Sequence, residues 1–80
     1  MRYFLDLVLQ RLIRHPDDVD LRQIDEPGHT TFQISVHPED IGRVIGRNGK
    51  TINAIRGLLN AAGSRNETRV TVQLFENSAT

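Results

Sequence analysis

Two hydrophobic periods alternate along the chain. Over residues 2–14, Leu5, Val8, Leu9 and Leu12 fall on one face of a predicted helix, with Arg2, Asp6, Gln10 and Arg14 opposite. His15-Pro16-Asp17-Asp18 ends the pattern, because the residue before a proline avoids the helical region. Tyr3, Phe4 and Leu7 widen the apolar stripe beyond what one core needs. Two roles fit them: covering the sheet edge, which is favoured here, or meeting a second subunit. The period then drops to two. Val19, Leu21 and Gln23 alternate with polar neighbours, and Asp25-Glu26-Pro27-Gly28-His29 has the composition of a turn. Residues 30–36 put Phe32, Ile34 and Val36 on one side and Thr31, Gln33 and Ser35 on the other, so the two strands predict a hairpin.

His37-Pro38-Glu39-Asp40 predicts a helix start: proline suits the first helical position, and two carboxylates complement the helix dipole. A short helix through Ile41, Val44 and Ile45 stops at Gly46-Arg47-Asn48-Gly49, where glycine permits a left-handed backbone. A second helix, residues 50 to about 62, buries Ile52, Ile55 and Leu59. Residues 63–67 connect it to a third strand in which Val70, Val72 and Leu74 alternate. The order helix, strand, strand, helix, helix, strand predicts an α+β fold, a three-stranded sheet with helices packed on one face. Residues 1–76 are read as one domain and 77–80 as a flexible tail.

Eighty residues are enough for one domain of modest stability. Cysteine is absent, so no disulfide or cysteine-based zinc site staples it, which also fits a reducing compartment. His15, His29 and His37 show no metal-ligand spacing; neither a metal nor a cofactor is expected. Asp6, Gln10 and Arg11 interrupt the first apolar run and no small-residue cleavage site follows, so no signal peptide is read. No stretch approaches the ~20 apolar residues of a membrane span. A soluble cytoplasmic protein is therefore expected, in which the glycosylation-like triplet Asn66-Glu67-Thr68 carries no meaning.

The formal net charge is zero, but its distribution is uneven. Residues 41–65 hold Arg43, Arg47, Lys50, Arg56 and Arg65 and no acid; all ten acids and the five remaining bases lie outside. Such a segment can attract phosphates while overall neutrality limits nonspecific sticking. A solvated basic helix face would have the same composition.

The residues Val44-Ile45-Gly46-Arg47-Asn48-Gly49-Lys50-Thr51-Ile52 resemble the KH-domain signature, an aliphatic pair, GxxG and a further aliphatic residue. The element order is similar to the type II KH arrangement. Over residues 1–75, including His37-Pro38-Glu39-Asp40-Ile41-Gly42, the chain resembles the small stand-alone bacterial KH proteins of the KhpA/YlqC group. That resemblance implies an RNA chaperone or RNA-binding regulator that takes about four nucleotides of single-stranded RNA. It also implies self-association, or pairing with a larger KH-containing partner, KhpB.

The physics of the loop can be stated independently. Two glycines let backbone pass close to a sugar-phosphate chain. A helix N-terminus offers N–H groups and a favourable dipole to an anion. Arg47 and Lys50 add charge, and Asn48 can hydrogen-bond phosphate or sugar. Ile41, Ile45 and Ile52 are expected to line an apolar floor against the second strand, with Gly42, Arg43, Thr51 and Arg56 completing the predicted site. Gly42 has two readings of equal weight, close helix packing or close approach of a nucleic-acid backbone.

Gly49-Lys50-Thr51 resembles the end of a P-loop, but that motif needs glycine where Val44 stands and should follow a strand. The four aromatics, Tyr3, Phe4, Phe32 and Phe75, are expected in the core, which excludes a base-stacking platform. No nucleophile–base pair or paired carboxylates in a cleft suggest an enzyme. Two noncatalytic readings stand: binding of single-stranded RNA, with single-stranded DNA undistinguished from it, or an assembly domain in which RNA binding is incidental.

Overall fold

The computed structural model describes residues 2–77. Its elements are α1 (Arg2–Leu12), β1 (Asp20–Glu26), β2 (His29–Val36), α2 (Ile41–Ile45), α3 (Lys50–Ser64) and β3 (Arg69–Glu76), with 3-10 turns at Pro16–Asp18, Pro38–Asp40 and Arg47–Gly49. β1 and β2 form the antiparallel hairpin, Glu26 opposite His29, closed by Pro27-Gly28 alone. Gly28 has φ 73°, which suits the position after proline in a type II turn. β3 lies parallel to β2, Thr30 opposite Val70 and Ile34 opposite Leu74, giving the order β1-β2-β3. A parallel pair needs a long crossover, and α2 and α3 supply it.

Period two on β2 is realised in full: Thr30, Phe32, Ile34 and Val36 are buried, and the residues between them are half-buried. Phe32, Ile34 and Val36 meet Leu5 and Leu9 of α1, Val44 of α2, Ile52, Ile55 and Leu59 of α3, and Val70 and Val72 of β3. Each large side chain removed from water there contributes about 1.5–3 kcal/mol. All helices lie on this face. The other face is polar, with Gln33 donating to Gln73 at 3.1 Å and His29 Nε2 hydrogen-bonded to Thr71 Oγ1 at 2.8 Å.

The aromatic expectation is corrected. Only Phe32 is buried; Tyr3, Phe4 and Phe75 are exposed, at 77%, 38% and 45%. Tyr3 and Leu7 project from the side of α1 opposite Leu5 and Leu9, so they do not cover the sheet edge. A helix that is apolar on both sides cannot bury both against one small core.

By sequence Asp40 is a first-turn acid that complements the dipole of its own helix. It is fully buried instead, and makes no cap to α2. Its Oδ1 accepts the Arg14 N–H at 3.0 Å and its Oδ2 the His15 N–H at 2.9 Å, with an Arg43 guanidinium nitrogen 3.6 Å from Oδ1. These bonds explain why α1 stops at Leu12 and not at residue 14. The Arg14 amide donates to Asp40, not up the helix. One carboxylate thus joins the end of α1 to the start of α2.

α3 runs two residues past its predicted end because Gly63 is a packing residue, not a breaker. A Cβ there would lie 2.6 Å from Thr68 O and 2.9 Å from Val70 Cγ2. The helix closes with Glu67 in the left-handed region (φ 54°), Thr68 N–H on Gly63 O and Glu67 N–H on Ser64 O. Asn77, assigned to the tail from sequence, donates its N–H to Val36 O at 2.7 Å and its side-chain amide to Asp18 O at 2.8 Å. Residues 78–80 lie outside the described residues. Among the described residues no helix is long and apolar enough to cross a membrane.

Burial alone would raise the Asp40 pKa, but the two backbone N–H bonds, with the charges of His15 and Arg43, outweigh it and hold it below 3.8. A depressed carboxylate stabilises the fold above its unfolded pKa, and that contribution is lost as pH falls through the folded value. Urea unfolding of the wild type should therefore weaken below about pH 4. Asp40→Ala should cost about 2 kcal/mol at pH 7, since it removes a buried carboxylate and leaves two part-buried N–H donors without it, and the difference should shrink in acid. Equal stability of the two proteins at pH 7 would refute this role.

Candidate nucleic-acid interface

The loop between α2 and α3 is set by backbone requirements at three of its four residues. Gly46 ends α2 with φ 74° and ψ 175°, its N–H still bonded to Gly42 O at 2.9 Å. Asn48 (φ 56°) and Gly49 (φ 76°) follow in the left-handed region, which Asn tolerates and Gly adopts without strain. Gly49 N–H returns to Gly46 O at 3.2 Å, so the chain reverses between two helices within three residues.

The two glycines are not equivalent. A Cβ on Gly46 would collide with Thr51 Oγ1 and stand 2.6 Å from Thr51 Cβ and 2.9 Å from Thr51 N. At Gly49 it would meet only Asn53 Nδ2, at an ordinary 3.5 Å, so φ alone argues for glycine. Gly42 is exposed with open space around it, which removes the close-packing reading and leaves room for backbone approach.

No side chain caps the start of α3. Lys50 N–H turns back to Arg47 O. Arg47, Asn48 and Lys50 are exposed, and among the described residues the side chains of Arg47 and Lys50 make no ion pair or hydrogen bond. Arg43 is engaged internally, donating to Glu39 O at 3.1 Å beside Asp40. Arg56 donates to Asn53 Oδ1 at 3.3 Å and to Val72 O at 3.4 Å. Of the four basic residues around the loop, Arg47 and Lys50 are therefore the ones whose charge is free to meet an anion.

The predicted apolar floor is only partly present. Ile41 is half-buried and Ile45 is 36% exposed, but Ile52 is core, at 6%. Ile41, Gly42, Arg43, Ile45, Gly46, Arg47, Asn48, Gly49, Lys50 and Thr51 gather around the loop, with Arg56 further along α3. The strand beside them is also corrected. β2 is central and paired on both edges, so it has no free backbone to offer. β3 is the edge strand next to α3. Asn60 reads that edge like a neighbouring strand, its Nδ2 on Val70 O at 2.9 Å and its Oδ1 accepting Val70 N–H at 2.9 Å. With Asn60 at Val70 and Arg56 at Val72, α3 runs antiparallel to β3. Its first turn and the loop thus face the Leu74 end, and Leu74, like Ile41, is partly buried against the core. The connectivity could have revealed this, since a strand after a helical crossover pairs parallel beside the strand before it. Asn60 gave no comparable signal.

The element order, the mixed sheet and a GxxG loop joining two helices define a type II KH domain. The KhpA/KhpB KH-domain family matches residues 2–74, and the chain belongs to that family. It is 36% identical to the RNA-binding protein KhpA of Chlamydia pneumoniae, over 95% of this chain and 97% of that one. It is 33% identical to the RNA-binding protein KhpA of Halalkalibacterium halodurans, over 95% of this chain and 100% of that one. With the RNA-binding protein KhpA of Thermotoga maritima the identity is 38%, over 76% and 81% of the two chains. No solved structure matches.

Gly46→Ala should disturb the loop rather than the core. It pairs a disfavoured φ with a clash against Thr51 and should cost about 2–4 kcal/mol. Gly49→Ala should cost about 1 kcal/mol. Denaturant midpoints in that order support the geometry; the reverse order contradicts it.

Proposed function

We propose that this chain is a noncatalytic protein that binds single-stranded RNA, acting as an RNA chaperone or post-transcriptional regulator. About four nucleotides would cross the glycine loop and run along the groove between α2, the start of α3 and the Leu74 end of β3. The observation that carries the reading is the uncapped start of α3 beneath Arg47 and Lys50, whose exposed side chains have no ion pair or hydrogen bond among the described residues. A helix dipole and two cations meet there, where phosphate is the matching ligand. The names of the relatives, RNA-binding protein KhpA, support RNA as that ligand.

The division of labour follows from the chemistry. The loop contacts sugar and phosphate and so fixes register, while Ile41, Ile45, Leu74 and the β3 edge touch bases. Among the described residues no aromatic lies in the loop itself, and exposed Phe75 follows Leu74 on the alternate face of β3, so affinity at the loop comes from few contacts. Three or four phosphates give a slope of log K against log salt of about −2 to −3. Weak single sites gain from combination.

That need favours pairing with a second copy or with a larger KhpB-like RNA-binding protein. A specific feature supports it: Phe4 of α1 and Leu58, Leu59 and Ala62 of α3 line a shallow apolar groove, with Tyr3 and Leu7 exposed on α1.

Two experiments test these statements. Arg47→Asp with Asn48→Asp should leave circular dichroism native, because both sites are exposed and Asp tolerates the left-handed region. It should weaken filter binding of a short single-stranded RNA by at least thirtyfold, about 2 kcal/mol. Unchanged affinity sinks the assignment, and equal binding of the matching DNA removes the preference for RNA. Leu58→Glu should shift wild-type dimers to monomers in sedimentation; a wild type that is monomeric at every concentration removes the self-pairing.

A further inference from the structure

The fold brings two histidines together that their sequence positions keep apart. His15 and His37 stack with ring centroids 3.9 Å apart and planes 21° apart, at the opposite end of α2 from the glycine loop. Glu39 Oε1 lies 3.4 Å from His15 Nε2 and 3.8 Å from His37 Nδ1. One ligand atom from each of the three residues lies within 4.8 Å of the others.

Four features make this cluster suited to a cation. The first is distance. Zinc–nitrogen bonds of 2.0–2.1 Å on a tetrahedron put ligand atoms about 3.3 Å apart, near the 3.4 and 3.8 Å between Glu39 Oε1 and the two ring nitrogens, and the set closes when the rings unstack to turn both in-plane lone pairs onto one ion. The second is protonation. Glu39 N–H donates to His37 Nδ1 at 3.0 Å, so that nitrogen carries the lone pair a metal needs, and the ion displaces a single exposed hydrogen bond. The third is support. The His15 amide is held by Asp40 Oδ2 at 2.9 Å, and both histidines open the same turn, His-Pro-acid-acid, each a 3-10 segment. Backbone positions are therefore fixed before any ion arrives, the condition on which precise ligation depends. The fourth is charge: among the described residues, Arg43, 3.6 Å from Asp40, is the one Arg or Lys in an ion pair with Glu39 or Asp40, whose carboxylate also accepts the Arg14 and His15 amides.

We propose that His15, His37 and Glu39 form a binding site for a divalent first-row transition ion of the zinc class, completed by water. Two imidazoles and one carboxylate suit Zn²⁺, Co²⁺ or Ni²⁺ and not the all-oxygen preference of Mg²⁺ or Ca²⁺. The ion ties the turn after α1 to the turn before α2, in parallel with Asp40. It stabilises the packing that positions α2 and takes no part in the phosphate contacts.

The test uses the full chain without an affinity tag. Calorimetric titration with zinc chloride should show one ion per chain, and Co²⁺ should give visible absorption bands of a low-symmetry site. A hundredfold excess over the dissociation constant should raise the melting temperature by at least about 5 °C. His15→Asn and His37→Asn, which keep good turn-capping residues, should each weaken binding at least tenfold. Glu39→Gln, at an exposed side chain that folding does not need, should weaken it about fivefold, and His29→Asn should leave it unchanged. No saturable binding by the wild type overturns the proposal. So does wild-type affinity in the His15, His37 or Glu39 variants, which leaves the stack as packing alone. One ion per two chains also overturns it, because the ion would then bridge molecules.

Discussion

The absence of a Cβ at Gly46 is the constraint on which the site depends. The α2–α3 reversal needs the chain to pass within contact distance of Thr51 while holding φ at 74°, and a side chain fails both conditions. With that approach permitted, Asn48 and Gly49 complete the turn in the left-handed region, and α3 begins without a capping side chain. The uncapped helix start and the exposed cations are thus consequences of one tight turn. The feature that makes the loop foldable also keeps its outer surface open.

The rest of the domain holds that turn in place. α2 is only five residues long and could not hold its own position by propensity. It is held instead by Val44 in the core and by the Asp40 carboxylate, which grips the end of α1 across the chain. On the other side, Asn60 and Arg56 fasten α3 to the outer edge of β3. These bonds occupy the Val70–Val72 part of that edge and leave the Leu74 part beside the loop. A nucleic-acid groove in this fold therefore has a defined end, set by side-chain amides and a guanidinium from α3.

What could be read beforehand was what depends on local pattern. The alternation in β2, the helix end at Gly46 and the basic stretch around Lys50 each lie within a few residues, so the chain order and most of the loop residues were legible. What could not be read depends on which segments meet. Asp40 looks like any first-turn acid until α1 is docked beside it. Ile52 fits the apolar spacing of a groove residue and of a core residue equally, and packing decides for the core. Tyr3, Phe4 and Phe75 are expected in the interior from their places in the first helix and beside the third strand, but a core this small fills with aliphatic side chains and Phe32. His15 and His37 become neighbours only through the meeting of two turns. The choice of β3 over β2 as the groove strand followed from connectivity that was visible but unused.

The central claim is that one surface, the loop with α2, the start of α3 and the Leu74 end of β3, receives single-stranded nucleic acid. Amide chemical-shift mapping during titration with a short single-stranded RNA tests it most directly. The account predicts the largest changes at Gly46, Asn48, Gly49, Lys50 and Thr51, smaller ones at Ile41, Ile45 and Leu74, and none at Thr31, Gln33 and Thr71 on the open sheet face. Changes concentrated on that open face, or on Tyr3 and Leu7 of α1, would contradict it.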